Sequence, residues 1–391
     1  MSSFVYLYSI AFLIFLGLVL HQLSARFNIP YSVPLILSGF LVSRFIIKNG
    51  FITIPRILFE SIILLSIVII VFDIFSRFRF DHPTSMHAAV FSFKIIFFFF
   101  AIPIITASMY YLFNFNSIVY PLLFSVLVLS SSRSYIKKFK HSRHKITHIL
   151  EIESIRITGI SIILIAVLLQ FVNMDQTLIQ QGILKFFQLV ISDIIIGVGT
   201  GIVSGIIFFK MMKNRFSKNV SPLFLLTVAL ITYSSAEAMG GNAIFSIMAL
   251  GFFFGSVSVK GKPFLYEFSS IIAEFSEIFV FLLLGIMISV PFELSLIIKS
   301  LILFILFLVI RYLSLLFSFG SGLNTKERFF LALHYPKDVS TGIFLLFIFV
   351  EYNLNGMSII FQTAIIFIIF SVITAYISTI SGKKLIKNEV V

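Results

Sequence analysis

Ionisable residues inside otherwise apolar segments are the first candidates for chemistry in this chain. Glu153 and Arg311 each lie in such a segment, and Lys337 and Asp338 follow a proline near the middle of another. An ionisable group at membrane depth costs free energy, so it is usually retained for function or for pairing with an opposite charge. Carboxylate oxygens can also bind a hard cation. These residues therefore indicate ion binding, ion pairing or both.

The segments that position these residues are long and apolar. The chain has 391 residues, of which 59% are hydrophobic and 12% are charged. A helix needs about 20 apolar residues to span a bilayer, and backbone groups in lipid must form hydrogen bonds within the protein. We predict an all-α polytopic membrane protein, because the apolar runs lack the alternation of a membrane β-barrel. About 13 transmembrane helices are expected, at roughly 3–22, 31–48, 56–76, 85–113, 117–133, 146–172, 182–212, 221–238, 242–258, 264–290, 293–319, 327–352 and 356–381.

The net charge of +13 is distributed in a way that favours a lipid bilayer over nucleic acid as the partner. Lysine and arginine concentrate in alternate loops, whereas the loops near 114–117, 173–181, 239–242, 291–293 and 353–356 contain neither. This alternation follows the positive-inside rule, with Arg44, Lys48 and Arg56 as exceptions. It predicts a multi-pass protein of the cell membrane with its N-terminus outside and its C-terminus in the cytoplasm. Residues 382–391 would form a short cytoplasmic tail.

Two stretches of the sequence resemble each other and predict an internal repeat. Leu37–Ser43 and Ala249–Gly255 share a Gly-Phe pattern, and each follows a short break. One repeat at about 1–172 and another at about 221–381, joined by a connector helix at 182–212, would form one transmembrane domain over 1–381. The copies would have opposite orientations, as in many transporters. Chance similarity between apolar helices rich in glycine and phenylalanine is the alternative.

Two of the predicted helices contain features that interrupt a helix. Pro336 lies near the middle of the segment 327–352, where it removes a backbone donor and clashes with the preceding turn. The equivalent helix in the first repeat contains a run of serines, Ser130–Ser132, at its inner end. We therefore predict two discontinuous helices that cross at mid-bilayer, where transporters of this kind place their ion sites. A purely structural role for the serines, which can satisfy freed backbone groups, stays open.

Four stretches of the sequence together resemble a known family over essentially the whole chain. They are Leu150–Ser154, Ala236–Gly255, Arg311–Ser314 and Glu327–Lys337. In order and spacing they are similar to the monovalent cation:proton antiporters of the sodium/hydrogen exchanger type. The resemblance implies a fold of thirteen helices, a homodimer, and alternating access that exchanges a small monovalent cation for protons. It also implies a structural salt bridge between Glu153 and Arg311 and places Lys337 and Asp73 at positions of a basic and an acidic family residue.

The departures from the family pattern fall on the acids that bind the ion. Where the family has Asn-Asp after its Glu-Ser, this chain has Ile157 and Thr158. The family's Thr-Asp-Pro motif on the fifth helix falls on the serine run, so Ser131 and Ser132 stand where an acid is expected. A hydroxyl group can bind sodium, but it does not titrate in the physiological range. Exchange at Thr158 alone is therefore implausible.

Other acids are candidates for the missing role. Asp338 lies beside Lys337 at the predicted break and could reach the midplane, although an acid there could instead cap the second half-helix. Asp73 and Asp193 stand in apolar helices and could carry a proton or form hydrogen bonds to neighbouring helices. Arg156, which could pair with one of the acids or extend toward the membrane surface, is a further addition to the family pattern.

Three functions are consistent with these residues. The first is a secondary transporter, not an enzyme, that exchanges Na⁺ or a similar cation for protons with a rearranged acid set. The second is a membrane protein that keeps the fold but has lost proton-coupled exchange and acts as a sensor or assembly partner. The third is an anion transporter, since Lys337 and Arg156 could face the cavity. No cofactor and no metal centre are expected.

Overall fold

In the computed structural model, all regular secondary structure of the described residues is helical. The structure describes residues 3–27, 29–48, 55–78, 85–130, 145–172, 183–212, 217–218, 220–258, 261–288, 293–337, 339–352 and 357–387. Within these ranges it leaves out the side chains of residues 3, 5, 46, 85, 87, 151, 154–157, 171–172, 183–186, 321, 352 and 380–387. The α-helices are α1 (Ser3–Arg26), α2 (Ser32–Leu41), α3 (Arg56–Ser76), α4 (Ser85–Phe113), α5 (Val119–Leu127), α6 (Lys145–Val172), α7 (Ile183–Met212), α8 (Ser221–Ala238), α9 (Ala243–Ser256), α10 (Lys262–Ile286), α11 (Leu294–Phe319), α12 (Thr325–Leu333), α13 (Val339–Tyr352) and α14 (Met357–Lys387). A π-helical turn (Val42–Ile47) extends α2, and a 3₁₀ turn (Gly320–Gly322) follows α11.

The helices account for the membrane character of the sequence. Within the described residues, eight helices are long and apolar enough to cross a bilayer by length and composition, and shorter apolar helices accompany them. The predicted all-α polytopic class is confirmed. The count of thirteen spans, the repeat boundaries and the topology stay predictions.

Local sequence signals explain where several helices begin. The side chain of Asn242 accepts a hydrogen bond from the backbone N–H of Phe245 at 3.1 Å and so caps α9. Asn324 and Glu327 form a reciprocal capping box at the start of α12. This box fixes the start of the helix that leads toward Pro336.

Two helices end inside the apolar core. α5 ends at Leu127, and residues 128–130 continue as non-helical backbone. α12 ends at Leu333, residues 334–337 are non-helical, and α13 begins at Val339. The second interruption coincides with Pro336, as its missing N–H requires. Ser131, Ser132 and Asp338 lie outside the described residues.

The chain divides into two compact units. Unit 1 comprises Met1–Arg56, Asp81–Ser161 and Ile278–Val391, and unit 2 comprises Ile57–Phe80 and Ile162–Glu277. In unit 1, Gly39 and Gly285 let two helix backbones meet: a Cβ atom at Gly285 would lie 2.1 Å from the carbonyl oxygen of Ile36. In unit 2, Gly201 has the same role, because its Cβ atom would lie 2.2 Å from the carbonyl oxygen of Ser246. Small residues commonly permit such close contacts between membrane helices.

Candidate functional site

An ionic cluster of Lys94, Glu153 and Arg311 lies in the interior of unit 1. Arg311 donates two parallel hydrogen bonds to the Glu153 carboxylate, Nη1–Oε1 at 2.6 Å and Nη2–Oε2 at 2.9 Å. The ammonium group of Lys94, on α4, also donates to Oε1 of Glu153. The three residues are 4%, 1% and 0% exposed, respectively. Two cations thus share one carboxylate that is shielded from solvent.

Arg311 also caps the end of α12. Its Nε and Nη2 atoms donate to the carbonyl oxygen of Leu331 at 3.1 Å and 3.0 Å. The last carbonyl groups of a helix lack intrahelical partners, and a cation is favoured at that end by the helix dipole. The guanidinium group lies 3.8 Å from the ring centroid of Tyr335, which adds a cation–π contact. Arg311 therefore joins α6, α11 and the break after α12.

Lys337 occupies the equivalent place at the end of α5. Its ammonium group donates to the carbonyl oxygen of Val128, the first residue after the helix. The Nζ atom lies 3.8 Å from the ring centroid of Phe307 and 4.5 Å from that of Tyr335. The backbone N–H of Lys337 donates to Ser371 Oγ at 3.0 Å, so the non-helical segment is tied to α14. A buried basic side chain thus donates to a carbonyl group at the C-terminal end of each broken helix.

The two breaks meet through hydroxyl and carbonyl oxygens. The Tyr335 hydroxyl donates to the carbonyl oxygen of Leu129. Thr341 Oγ1 donates to the carbonyl oxygen of Leu127 at 3.1 Å and is hydrogen bonded to Ser130 Oγ. Such oxygens suit a hard cation as ligands, but they cannot exchange a proton for it.

Thr158, which stands where the family has its ion-binding aspartate, is fully buried in α6. It lies five residues beyond Glu153 on the same helix, more than one turn away. The side chain of Arg156 lies outside the described residues. The structure therefore brings together Glu153, Arg311 and Lys337 from the predicted set and leaves Ser131, Ser132 and Asp338 undescribed.

The remaining predicted acids lie in unit 2. Asp73 accepts hydrogen bonds from Arg77 Nη2 at 2.9 Å and from Ser269 Oγ at 3.0 Å. Arg77 Nη2 also donates to the carbonyl oxygen of Tyr266 at 3.1 Å, so this ion pair joins α3 to α10. Asp193 lies half-buried in α7, and its side chain accepts a bond of 3.4 Å from Ser192 Oγ.

Lys94 is the residue of the cluster that the sequence analysis missed. It stands in the apolar stretch Phe93–Ala101, and a lysine in such a segment is itself a signal of function or pairing. Its partner Glu153 is 59 residues away in the chain. The sequence therefore contained a lysine at an unusual position, but it did not show that this lysine contacts Glu153.

These features define a class of protein. It is a polytopic helical membrane protein in which two interrupted helices meet. A buried basic side chain donates to the end of each interrupted helix, and a buried ionic cluster lies beside them. A family model described as sodium/hydrogen exchanger, transmembrane, matches residues 10–380. The chain belongs to that family.

Solved structures support the same fold. The structure of the sodium proton antiporter MjNhaP1 from Methanocaldococcus jannaschii at pH 8 superposes with a TM-score of 0.75 and 18% sequence identity, covering 98% of each chain. An electron-microscopy structure of the same antiporter gives a TM-score of 0.72 and 16% identity over 100% of this chain and 99% of the other. No curated protein matches the sequence. At these identities the likeness establishes the fold.

Proposed function

We propose that this chain is a secondary active transporter that exchanges a monovalent cation, Na⁺ or a similar ion, for protons by alternating access. Membership of the sodium/hydrogen exchanger family supports the reaction class. The observation that carries the proposal is the meeting of two helix breaks beside a buried carboxylate. Interrupted helices offer backbone oxygens at membrane depth without exposing them to lipid, and transporters bind coupling ions there.

The proposed ion pathway uses the oxygens of the crossing. Ser130, Thr341 and the carbonyl group of Leu127 supply neutral ligands at the crossing. Asp338, Ser131 and Ser132, which follow the described parts of the two breaks in sequence, stay predicted ion-binding residues. Asp73 and Asp193, both in unit 2, are the further acid candidates. A homodimer in the cell membrane, with the N-terminus outside and the C-terminus in the cytoplasm, completes the proposal.

Proton flux in reconstituted vesicles tests this function. Purified protein in proteoliposomes that contain a pH-sensitive dye is exposed to an outward-directed proton gradient and then to Na⁺, Li⁺ or K⁺. Cation-dependent alkalinisation of the lumen supports exchange. Folded protein that responds to none of these cations contradicts it and leaves the role of a sensor or assembly partner.

Anion transport is the second candidate, and the charge of the site favours it. Lys94, Arg311 and Lys337 bring three basic groups to the interior, where Glu153 is the carboxylate that pairs with two of them. A positive excess of this kind attracts a small anion. Chloride-dependent flux without a cation requirement in the same vesicles would favour this function over exchange.

A further inference from the structure

We propose that Lys94 is the proton-carrying group of the exchanger and that the transported cation replaces its ammonium group at Glu153 Oε1. This inference rests on the proposed function. It addresses the chemical problem left by Thr158, because antiport needs a group that holds a proton and gives it up to a competing cation. Lys94 supplies such a group inside the ionic cluster.

Arg311, Glu153, Lys337 and the hydroxyl groups of the crossing are poorly suited to this role. Arg311 keeps its proton under all physiological conditions. Glu153 is held by two bonds from Arg311, and its protonation would leave a buried guanidinium group without a counter-charge. The hydroxyl groups of Ser130 and Thr341 do not titrate in the relevant range. Lys337 caps a carbonyl group, so its deprotonation would free no carboxylate oxygen for a cation.

Lys94 is the member of the cluster that can lose its proton without breaking the other ion pair. Oε1 of Glu153 receives both Lys94 Nζ and Arg311 Nη1, whereas Oε2 receives Arg311 Nη2. When Lys94 loses its proton, the bidentate Arg311–Glu153 pair stays intact and neutral. Lysine, in contrast to arginine, deprotonates readily when it is buried.

Both a carboxylate and other basic side chains surround the ammonium group of Lys94. Glu153 on α6 attracts its ammonium group, and Arg311 on α11 repels it. Lys337, in the break between α12 and α13, adds repulsion, since the Nζ atoms of Lys94 and Lys337 lie 4.7 Å and 4.5 Å from the same Tyr335 ring centroid. The rings of Phe93 and Phe97 lie 4.6 Å and 5.1 Å from Nζ. Release of the Lys94 proton therefore relieves the repulsion between Lys94 and Arg311.

The exchange step balances in atoms and charge. One N–H bond of the Lys94 ammonium group breaks and its proton passes to water in the state that admits solvent. The monovalent cation then binds Glu153 Oε1 and the lone pair of the Lys94 amine. The charge of the cluster is the same before and after, so one cation is exchanged for one proton without net charge movement.

Substitution of Lys94 by arginine tests whether the site needs only a positive charge or a group that can release a proton. Lys94→Arg keeps a cation next to Glu153 but cannot release a proton, so we expect cation-dependent proton flux to fall at least about tenfold. Lys299→Arg is the matched control, because Lys299 is a half-buried lysine of α11 that lies over the Phe113 ring, away from the cluster. Full flux in Lys94→Arg overturns the assignment of Lys94 and leaves the antiporter function standing. Absence of flux in the unmodified protein overturns both.

A binding measurement keeps the assignment testable if Lys94→Arg does not fold. Addition of Na⁺ or Li⁺ to the detergent-purified protein in weak buffer should release about one proton per bound cation. Lys94→Gln, verified as monodisperse by size-exclusion chromatography, should release none. Undiminished proton release by Lys94→Gln overturns the proposal. An exchange rate of the unmodified protein that changes with an imposed membrane potential also overturns it, because the proposed step moves no net charge.

Discussion

The ammonium group of Lys337 and the carbonyl oxygen of Val128 are hydrogen bonded across the two helix breaks. This contact places a basic group at the C-terminal end of α5, where the helix dipole contributes about half a negative charge. Arg311 makes the corresponding contact with Leu331 at the end of α12. The two interrupted helices thus share one kind of contact, in which a buried basic side chain donates to a carbonyl group at the helix end.

Replacement of Lys337 by methionine should destabilise the crossing. The substitution keeps an apolar stem against Phe307 but leaves the Val128 carbonyl group buried without this donor. We expect a loss of about 1–3 kcal/mol, the usual cost of an unsatisfied buried acceptor. Thermal unfolding in detergent measures it, with Lys299→Met as the control. A melting temperature of Lys337→Met equal to that of the control would show that the contact contributes nothing to stability.

The ionic cluster should tolerate loss of Lys94 better than loss of Glu153. Glu153→Gln leaves Lys94 and Arg311 buried without their shared counter-charge, which we expect to cost about 3–5 kcal/mol. Lys94→Gln leaves the bidentate pair of Arg311 and Glu153 in place, so its cost should be smaller. Comparison of the two melting temperatures tests the order. The reverse order would mean that Lys94, rather than Arg311, is the main partner of Glu153.

Thr341→Val should weaken the contact between the two breaks at nearly constant side-chain shape. It removes the hydrogen bond that Thr341 donates to Leu127 and the one that it shares with Ser130, at an expected cost of about 1–3 kcal/mol. Thr227→Val is a suitable control, because Thr227 is exposed on α8 and bonds only within its own helix in the described contacts. Equal stability of the two variants would argue against a role for the hydroxyl group at the crossing.

Asp73→Asn tests whether the acid of α3 is structural or binds the ion. Its carboxylate is engaged by Arg77 and Ser269, so we expect lower thermal stability but retained exchange per folded protein. Arg77→Gln, which breaks the same ion pair from the other side, is the companion variant. Loss of exchange in Asp73→Asn, with stability unchanged and with Arg77→Gln active, would identify Asp73 as an ion-binding acid.

Gly285→Ala should disrupt the packing of α2 on α10. Its Cβ atom would lie 2.1 Å from the carbonyl oxygen of Ile36, which is backbone and cannot rotate away. Overpacking of this kind costs about 1–3 kcal/mol. Gly199→Ala provides the contrast, since nothing lies within 4 Å of a Cβ atom placed there, and helical Gly→Ala changes without strain are neutral or stabilising. Equal melting temperatures of the two variants would mean that the two helices can separate at little cost.

Much of the fold follows from local patterns. Apolar runs of membrane length predict the helices, and Pro336 predicts the interruption between α12 and α13 because its effect on the backbone is local. The family motifs likewise point to Glu153 and Arg311, which lie in contact in the structure. The end of α5 was harder to predict, since a serine run is equally compatible with a continuous helix.

The sequence by itself determined that this protein is a bundle of membrane helices with a few costly charges in its interior and without the aspartate usual at Thr158. Only the tertiary structure decided how those charges are shared. Lys94 and Glu153 are 59 residues apart, and Lys337 and Val128 are 209 residues apart. No local pattern encodes such contacts, because they depend on which helix faces meet when the bundle packs. The ratio of two cations to one carboxylate in the ionic cluster is therefore a property of the packed bundle.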